Sequence, residues 1–425
     1  MSLPRLLAGL DPAGALSFDA HVAIHGELAP DAGRRRHGPP ALIEEVRRSG
    51  LGGRGGAGFP TATKLDSVLG ARGRPIVVVN GCEGEPASEK DLVLLERAPH
   101  LVIDGAVACA HAVGADQIVF AVDAGVPGAK WALQAALAER PDTGRRGLDA
   151  TVVAIPPGYV SGHESAVVNF VNRGVAKPTA APPMVFERGV ARRPTLVTNA
   201  ETAAHVALIA RYGADWFREV GTDEEPGSAL VTVGGAVAEP GVFEIEYGSV
   251  LGSLLHAAGG TFSPLRAILV GGYCGSWIDA DQATSLRLAA APLRAVGASF
   301  GAGVIVALPE SACPVAETVR VTGWLAGESA GQCGPCVHGL AAIAGTLADV
   351  ADGRGGPDAS GRLARWAGLV TARGACAHPD GVARFVTSSL RVFADEFADH
   401  AHYGRCAACA RPAVLRLPER LALAG

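Results

Sequence analysis

The chain reads as a multidomain α/β protein, with an open parallel sheet in its first half, a small module of alternating strands after it, and a helical bundle behind. Three observations carry this. Short uninterrupted apolar runs alternate with helical patterns up to about residue 200, as expected of strands buried on both faces of a parallel sheet. From Ala229 the apolar period becomes two, with glycine pairs at the turns. After Cys313 the apolar spacing is helical to the end.

Residues 1–40 are expected to form an extended, irregular arm that ends in the basic, proline-capped run Arg34-Arg35-Arg36-His37-Gly38-Pro39-Pro40. A helix over 41–48, a glycine-dense loop over 50–58 and a short helix over 61–69 follow. Strands are expected over 75–80 (PIVVVN), 117–122 (QIVFAV) and 150–155 (ATVVAI), separated by helices over 101–113 and 129–138. That order predicts a doubly wound, Rossmann-like sheet. A fourth strand over 195–199 comes after a proline-rich connection, 178–194, expected to pass over the sheet edge. A hairpin from Ala229 and a helix over 249–258 suggest a β-grasp module. Helical segments near 314–326, 337–352, 358–372 and 381–400 make a four-helix bundle. The resulting division is an arm (1–40), an α/β domain (41–225), a β-grasp domain (226–312), a helical domain (313–400) and a tail (401–425) carrying Cys406-Ala-Ala-Cys409.

A chain of 425 residues exceeds what one core supports. With 48% hydrophobic and 19% charged residues it is globular in composition, and a net charge of -5 leaves no electrostatic footprint for nucleic acid. The N-terminus has no basic start followed by an apolar core, since Asp11 and Asp19 interrupt it. No apolar run is long enough to span a bilayer; the closest approach, near 102–113, carries Asp104 and His111. A cytoplasmic protein without direct membrane insertion is expected. Its nine cysteines then read as metal ligands or buried thiols and not as a disulfide framework.

Four polar loops follow strands or open helices. GLGGRGGAGFPTATK, from Gly50 to Lys64, holds six glycines ahead of a helix, a pattern that presents backbone N–H groups to a phosphate. A plain connecting loop is the bland alternative. NGCEGEPASEKD (Asn80 to Asp91) leaves the first strand at its carboxyl end, where open parallel sheets bind ligands; the alternative is an acidic turn capping the next helix. GYVSGHESA (Gly158 to Ala166) and TNAET (Thr198 to Thr202) occupy equivalent places.

These motifs, with the late CxxC, resemble the family of the NADH-oxidising flavoprotein (the F subunit) of bacterial complex I and its relatives in NAD-linked hydrogenases and formate dehydrogenases. The segment GGAVAEPGVFEIEYGSVLGSLLHAAGG resembles the soluble-ligand-binding β-grasp (SLBB, ubiquitin-like) repeat. The resemblance covers roughly residues 41–400 and implies an FMN-dependent NADH dehydrogenase that passes electrons to an iron–sulfur centre, and on to a ferredoxin or a 2Fe-2S partner subunit. Attachment to a membrane complex through such partners stays open. It implies that Gly53, Arg54, Gly55, Gly56, Ala57 and Gly58 with Lys64 line FMN, that Asn80, Glu83, Gly162, Glu164, Asn199 and Thr202 hold other parts of the flavin, and that Phe59 and Glu85 contact the nicotinamide dinucleotide. No side chain is expected as a general base, because the cofactor carries the hydride chemistry.

The departures are specific. Cys82 stands where the family has Asp, and His163-Glu164 where it has paired glutamates. Ser67, Ala181 and Met184 stand where aromatic or basic contacts to NADH are usual, so a donor other than NADH, or a non-catalytic scaffold with an empty site, is the alternative function. A nucleotide sensor without redox chemistry would leave TNAET and NGCEGEP without a role. The resemblance also implies a 4Fe-4S cluster on Cys333, Cys336 and Cys376, with the family's first cysteine replaced by Ala330. The residues alone also allow a redox dithiol or a zinc half-site at Cys333 and Cys336. His338, Ser329 or the tail pair are candidates for the missing ligand, and Cys109, Cys274 and Cys313 read as packing residues.

Overall fold

The computed structural model describes residues 3–10, 14–28, 41–140, 148–356 and 358–418. It divides into two compact units, the first comprising Met1–Gly84, Glu89–Val231 and Val242–Ser249, the second Glu85–Ser88, Thr232–Gly241 and Val250–Gly425.

The first unit runs α1 (Phe18–His25), α2 (Ala41–Ser49), α3 (Thr61–Leu69), β1 (Ile76–Gly81), α4 (Lys90–Arg97), α5 (Pro99–Val113), β2 (Gln117–Asp123), α6 (Pro127–Glu139), β3 (Asp149–Ile155), α7 (Glu164–Arg173), β4 (Thr195–Asn199) and α8 (Ala200–Phe217). The strands form one parallel sheet in the order β3-β2-β1-β4. Because side chains alternate faces along a strand, each strand serves two cores. Val77, Val79, Ile118, Phe120 and Val122 pack with the helices on one side. Ile76, Val78, Val119, Ala121 and Val197 pack on the other with Val167 and Val168 of α7. Val185 and Val190 of the proline-rich connection join that second core, so the connection covers a face of the sheet and does not merely pass its edge.

Helices α5 and α8 touch most closely at Gly105, where a Cβ atom would lie 1.8 Å from the Ala203 carbonyl oxygen. Glycine in a helix interior is unfavourable by itself, and here it is what lets two backbones meet.

The first 40 residues are not all an extended arm. Phe18–His25 is helical, started by Ser17, whose hydroxyl accepts the Ala20 N–H. The helix is drawn onto α5 by Asp104, which is 1% exposed and takes hydrogen bonds from His21 Nε2 (2.7 Å), Arg140 and Arg211. The Arg34-Arg35-Arg36 run lies outside the described residues.

The later part of the chain contains β5 (Ser228–Gly235), β6 (Gly241–Glu246), α9 (Leu251–Ala257), β7 (Leu265–Val270), β8 (Ser276–Asp279), α10 (Ala280–Ala283), α11 (Ala290–Ala295) and β9 (Val304–Pro309). The sheet order is β6-β5-β9-β7-β8, with β5 parallel to β9 and β7 antiparallel to both its neighbours. A first and a last strand parallel at the centre, with a helix after the opening hairpin, is the β-grasp arrangement expected from the alternation.

The helices are α12 (Pro314–Gly327), a π-helical turn Pro335–Leu340 that runs into α13 (Ala341–Ala351), α14 (Ala359–Val370), α15 (His378–Val392) and α16 (Ala394–Tyr403). The single helix expected over 381–400 is therefore two. Phe393 breaks it, with φ -116° and ψ 35°, and its fully buried ring meets Trp277 edge-on at 5.4 Å between centroids. Packing of that ring outweighs continuity of the helix. Among the described residues no helix is long and apolar enough to cross a membrane.

Burial raises the Asp104 carboxyl pKa, but the His21 hydrogen bond and the charges of Arg140 and Arg211 outweigh it and hold the group well below the ordinary carboxylate range. Its folded pKa is thus depressed, so its contribution is complete above about pH 4 and fades as pH falls from there towards the folded value. Asp104→Ala strands two buried guanidinium groups and should lower unfolding free energy by about 3–5 kcal/mol, seen as a lower urea midpoint. The variant should also lack this share of the wild-type loss of stability in acid.

Candidate functional site

Strand β1 leads to β2 on one side and has β4 on the other, so the direction of connection reverses between β1 and β4. That is the switch point at which an open parallel sheet leaves a crevice at its carboxyl ends. Asn80 and Asn199 are register partners across it.

Each asparagine ties two loops. The Asn80 amide donates to the Gly162 carbonyl (2.7 Å) and accepts the Cys82 N–H (3.1 Å). Asn199 donates to Asp91 and accepts the Thr202 N–H (3.2 Å), capping α8. The NGCEG and GYVSGHE loops are packed backbone to backbone: a Cβ on Gly162 would lie 2.5 Å from the Cys82 carbonyl oxygen, and one on Gly84 would lie 2.6 Å from that of Tyr159. Glycine is obligatory at both contacts.

The glycine-rich loop closes on itself through Gly53 N–H to the Phe59 carbonyl (2.8 Å) and Thr61 N–H to that of Leu51 (3.0 Å), and α3 starts directly after it. Its apex, Gly55 to Gly58, is exposed, with φ of 101° at Gly56 and 64° at Gly58, values that suit glycine. Arg54 points the other way. Its N–H is received by Thr202 Oγ1 (2.8 Å), its guanidinium donates to the carbonyls of Gly52 (2.9 Å) and Ser228 (3.0 Å), and it stacks over Tyr247. The Arg54 side chain, expected to line a ligand, is 7% exposed and holds the loop from beneath.

Under the loops lies a buried charge network that the motifs alone do not reveal. Glu201, 1% exposed in the first turn of α8, accepts from Lys90 Nζ at 2.8 Å and from the Leu230 N–H at 2.9 Å, and lies 3.8 Å from Arg54 Nε. Burial alone would raise its pKa; the Lys90 charge outweighs that and, with His205 and Arg54, brings it to about 2. Burial and the neighbouring Glu201 push Asp91 up from the ordinary range. Lys90, Asp91 and Glu201 stand inside the NGCEGEPASEKD and TNAET motifs, and a charge with apolar helix beside it is the signal that could have found them.

At the mouth of the crevice Lys64 of α3 pairs with Glu164 of α7 at 2.6 Å and donates to the Val197 carbonyl at 3.1 Å. Glu83 accepts the N–H groups of Asp91 (3.4 Å) and Leu92 (3.2 Å) at the start of α4, the capping role that is the bland alternative for this motif. His163 caps α7 by accepting the Ser165 N–H, which requires an unprotonated ring nitrogen there. Burial, with Asp123 and Asp91 nearby, pushes the Cys82 thiol far up, so it is neutral at pH 7. Phe59 is 48% exposed, as is Met184 at 44%. Glu85 falls in the second unit, where it accepts the Tyr273 N–H at 2.9 Å.

In the helical domain the π-helical turn packs against α14 and α15, and Cys376 sits in the loop joining those two helices. Three thiols converge there. Burial pushes the Cys336 thiol up to about 12, and Cys333 and Cys376 beside it add to the effect. For Cys333 the backbone N–H groups of Ala375 and Cys336 outweigh burial and lower the pKa. The Ala330 N–H points at Cys336, but its methyl group, 5% exposed, offers no ligand. The donor set fits three corners of an iron–sulfur cluster. Cys406 and Cys409 group instead with Cys313 and His400, their ligand atoms within 4.8 Å of one another. Cys313 is buried, as expected of a packing residue, but it also faces three other potential ligands, and the spacing His400-x5-Cys406-x2-Cys409 is the signal in the sequence that points to the group.

Residues 46–208 match the family model described as the Nuo51 FMN-binding domain, and residues 316–400 that described as the NADH-ubiquinone oxidoreductase-F iron-sulfur binding region. The donors at the crevice fit the first description: an exposed glycine apex at a helix start, a lysine and two asparagine amides. Among curated proteins, the second of the NADH-quinone oxidoreductase F subunits of Rhizobium meliloti (strain 1021) is 30% identical over 416 residues, covering 95% of this chain and 99% of its own. The NADP-reducing hydrogenase subunit HndC of Solidesulfovibrio fructosivorans is 27% identical over 87% of this chain and 78% of its own. Among solved structures, a chain of the NAD+-reducing NiFe hydrogenase in the air-oxidised state superposes with a TM-score of 0.82 at 30% identity, over 94% of this chain and 67% of that one. With both domain models matched in order and a relative covered almost end to end, the chain belongs to the family of NADH-quinone oxidoreductase F subunits.

Proposed function

We propose that this chain is an FMN-dependent NADH dehydrogenase module that delivers electrons, through the centre at Cys333, Cys336 and Cys376, to a ferredoxin or a 2Fe-2S partner subunit. The observation that carries the reading is the set of three loops at the β1–β4 switch point, pinned from below by Glu201, Lys90 and Arg54 and lined at the mouth by Lys64 and Glu164. When bound, FMN supplies the exchange between hydride, two electrons together, and the single-electron traffic of iron–sulfur centres.

The chain's own residues bind and orient. The apex of the glycine loop and Lys64 receive the phosphate, since backbone N–H groups ahead of a helix and an ammonium both favour an anion. Asn80, Gly162, Asn199 and Thr202 fix the loops that face the ring system, Glu83 sets the entry of α4, and Glu164 balances Lys64. Phe59 offers the exposed aromatic surface for the nicotinamide dinucleotide. With Ser67 and Met184 at positions where the family has rings or cations, a stacking contribution on the order of 1 kcal/mol each is missing, which favours a broader choice of donor. Association with a membrane assembly would then come through partners.

The absorbance spectrum of anaerobically purified protein, before and after NADH, tests the whole reading: flavin bands that bleach on addition support it, and a colourless folded protein rejects it. Gly56→Val places a β-branched residue at a φ of 101° and should abolish flavin retention without unfolding the sheet. Full flavin occupancy in that variant would remove the phosphate from this loop.

Cys82→Asp restores a carboxylate beside the crevice and should lower the flavin midpoint potential, because negative charge disfavours the reduced, anionic flavin. For a two-electron couple each tenfold change in relative affinity is about 30 mV. An unchanged potential would place Cys82 away from the ring. With only three thiolates, the cluster should lose one iron in air, converting a 4Fe to a 3Fe resonance; four irons retained after oxidation would mean that a further ligand completes it.

A further inference from the structure

A second cysteine group stands apart from the proposed electron path. Cys313 caps the start of α12, His400 lies in the last turn of α16, and just beyond it Cys406 caps a 3-10 turn, Ala407–Ala410, that contains Cys409. From Cys313 Sγ to His400 Nε2 is 3.4 Å, to Cys409 Sγ 3.5 Å, and Cys406 Sγ lies 3.7 Å from Cys409 Sγ.

We propose that these four residues form a closed, structural zinc site. A tetrahedral zinc with bonds of about 2.3 Å to sulfur and about 2.05 Å to nitrogen sets its ligands about 3.8 Å apart for sulfur pairs and about 3.6 Å for sulfur and nitrogen. The three separations given above lie within about 0.3 Å of those edges, and all six fall within 4.8 Å. A disulfide, at about 2.05 Å, does not. A cubane cluster binds its thiolates on different irons and spreads them wider than one ion does, so a group drawn within 4.8 Å takes a single metal. Three thiolates and an imidazole are a zinc set, and four protein ligands leave no open position for water or substrate.

The surroundings are built for thiolates. The Ala316 N–H donates to Cys313 Sγ at 3.3 Å, and the N–H groups of Ala408 and Cys409 face Cys406 Sγ. The chain after the turn is fixed independently: Glu317 accepts the N–H groups of Val414 (2.7 Å) and Leu415 (3.2 Å), Arg320 donates to the Leu415 carbonyl, and Leu415 is fully buried. The tail is thus held where its cysteines meet α12. A metal there closes a loop from Cys313 to Cys409 that contains the whole helical domain, and a clip over a long loop removes much unfolded-state freedom. Binding releases the thiol protons to solvent and leaves the oxidation state of every group unchanged.

The test measures zinc, iron and labile sulfide together on full-length protein purified without chelators. Wild type should carry one zinc per chain besides its iron. Cys409→Ser should lower zinc at least tenfold and leave iron and sulfide in place, whereas Cys336→Ala should do the reverse. Should Cys409→Ser fail to fold, the wild-type protein grown on cobalt still decides, because tetrahedral cobalt thiolate gives intense visible d–d and charge-transfer bands. Absence of both zinc and a cobalt spectrum in folded wild type, zinc that survives Cys409→Ser, iron in place of zinc at this group, or iron lost together with Cys409 would each overturn the proposal.

Discussion

Everything above the sheet at the crevice rests on the buried carboxylate of Glu201. It joins segments that are far apart in sequence: Lys90 from α4, Arg54 from the glycine loop and the β5 backbone at Leu230. A loop rich in glycine has no side chains with which to hold its own shape, and its conformational freedom in the unfolded chain is large. Its position must come from its surroundings. Here that is a charged arginine anchored in the interior and a hydroxyl, Thr202, that takes the loop's own N–H. Removing one charge from such a buried set leaves the others uncompensated, so the network is costly to break even if its net stabilisation is small.

The same economy of shape governs contacts between the loops. Asn80 and Asn199 use both ends of their amides, one on a distant segment and one on the chain just after them, so rotation of either would break both bonds at once. The electrostatic character is set separately from this framework. Cys82 is neutral, His163 serves as an acceptor, and the Lys64 ammonium is matched by Glu164. The residues that build the framework are thus distinct from those that set its charge.

Much of this was legible in the sequence. Short runs dominated by β-branched apolar residues mark strands, so the expected bounds agree with β4 and lie within a residue of β1 to β3. The period-two segment and the helical end were equally readable. The failures have physical reasons. Helix α1 is weakly amphipathic and depends on Asp104, a partner over eighty positions away. The break at Phe393 depends on the Trp277 ring in another element. The inward set of the Arg54 side chain likewise rests on residues far along the chain, the Ser228 carbonyl and the Tyr247 ring. Local pattern records periodicity well and long-range pairing hardly at all.

The cysteines show why spacing in the fold matters more than residue type. The loop after α12 carries Cys333 and the loop after α14 carries Cys376, so both follow the carboxyl ends of helices that meet the π-helical turn. Cys313 stands at the amino end of α12. That helix is 14 residues long, about 21 Å at 1.5 Å per residue, and it separates the two groups. Tail cysteines held at one end cannot complete a cluster at the other, which leaves the Ala330 corner to be filled locally or not at all. Zinc is redox-inert, so an ion at the Cys313 end neither takes nor passes electrons. The helical domain can therefore use thiolates twice, once for electron transfer and once to bind its own ends together, because its longest early helix keeps the two chemistries apart.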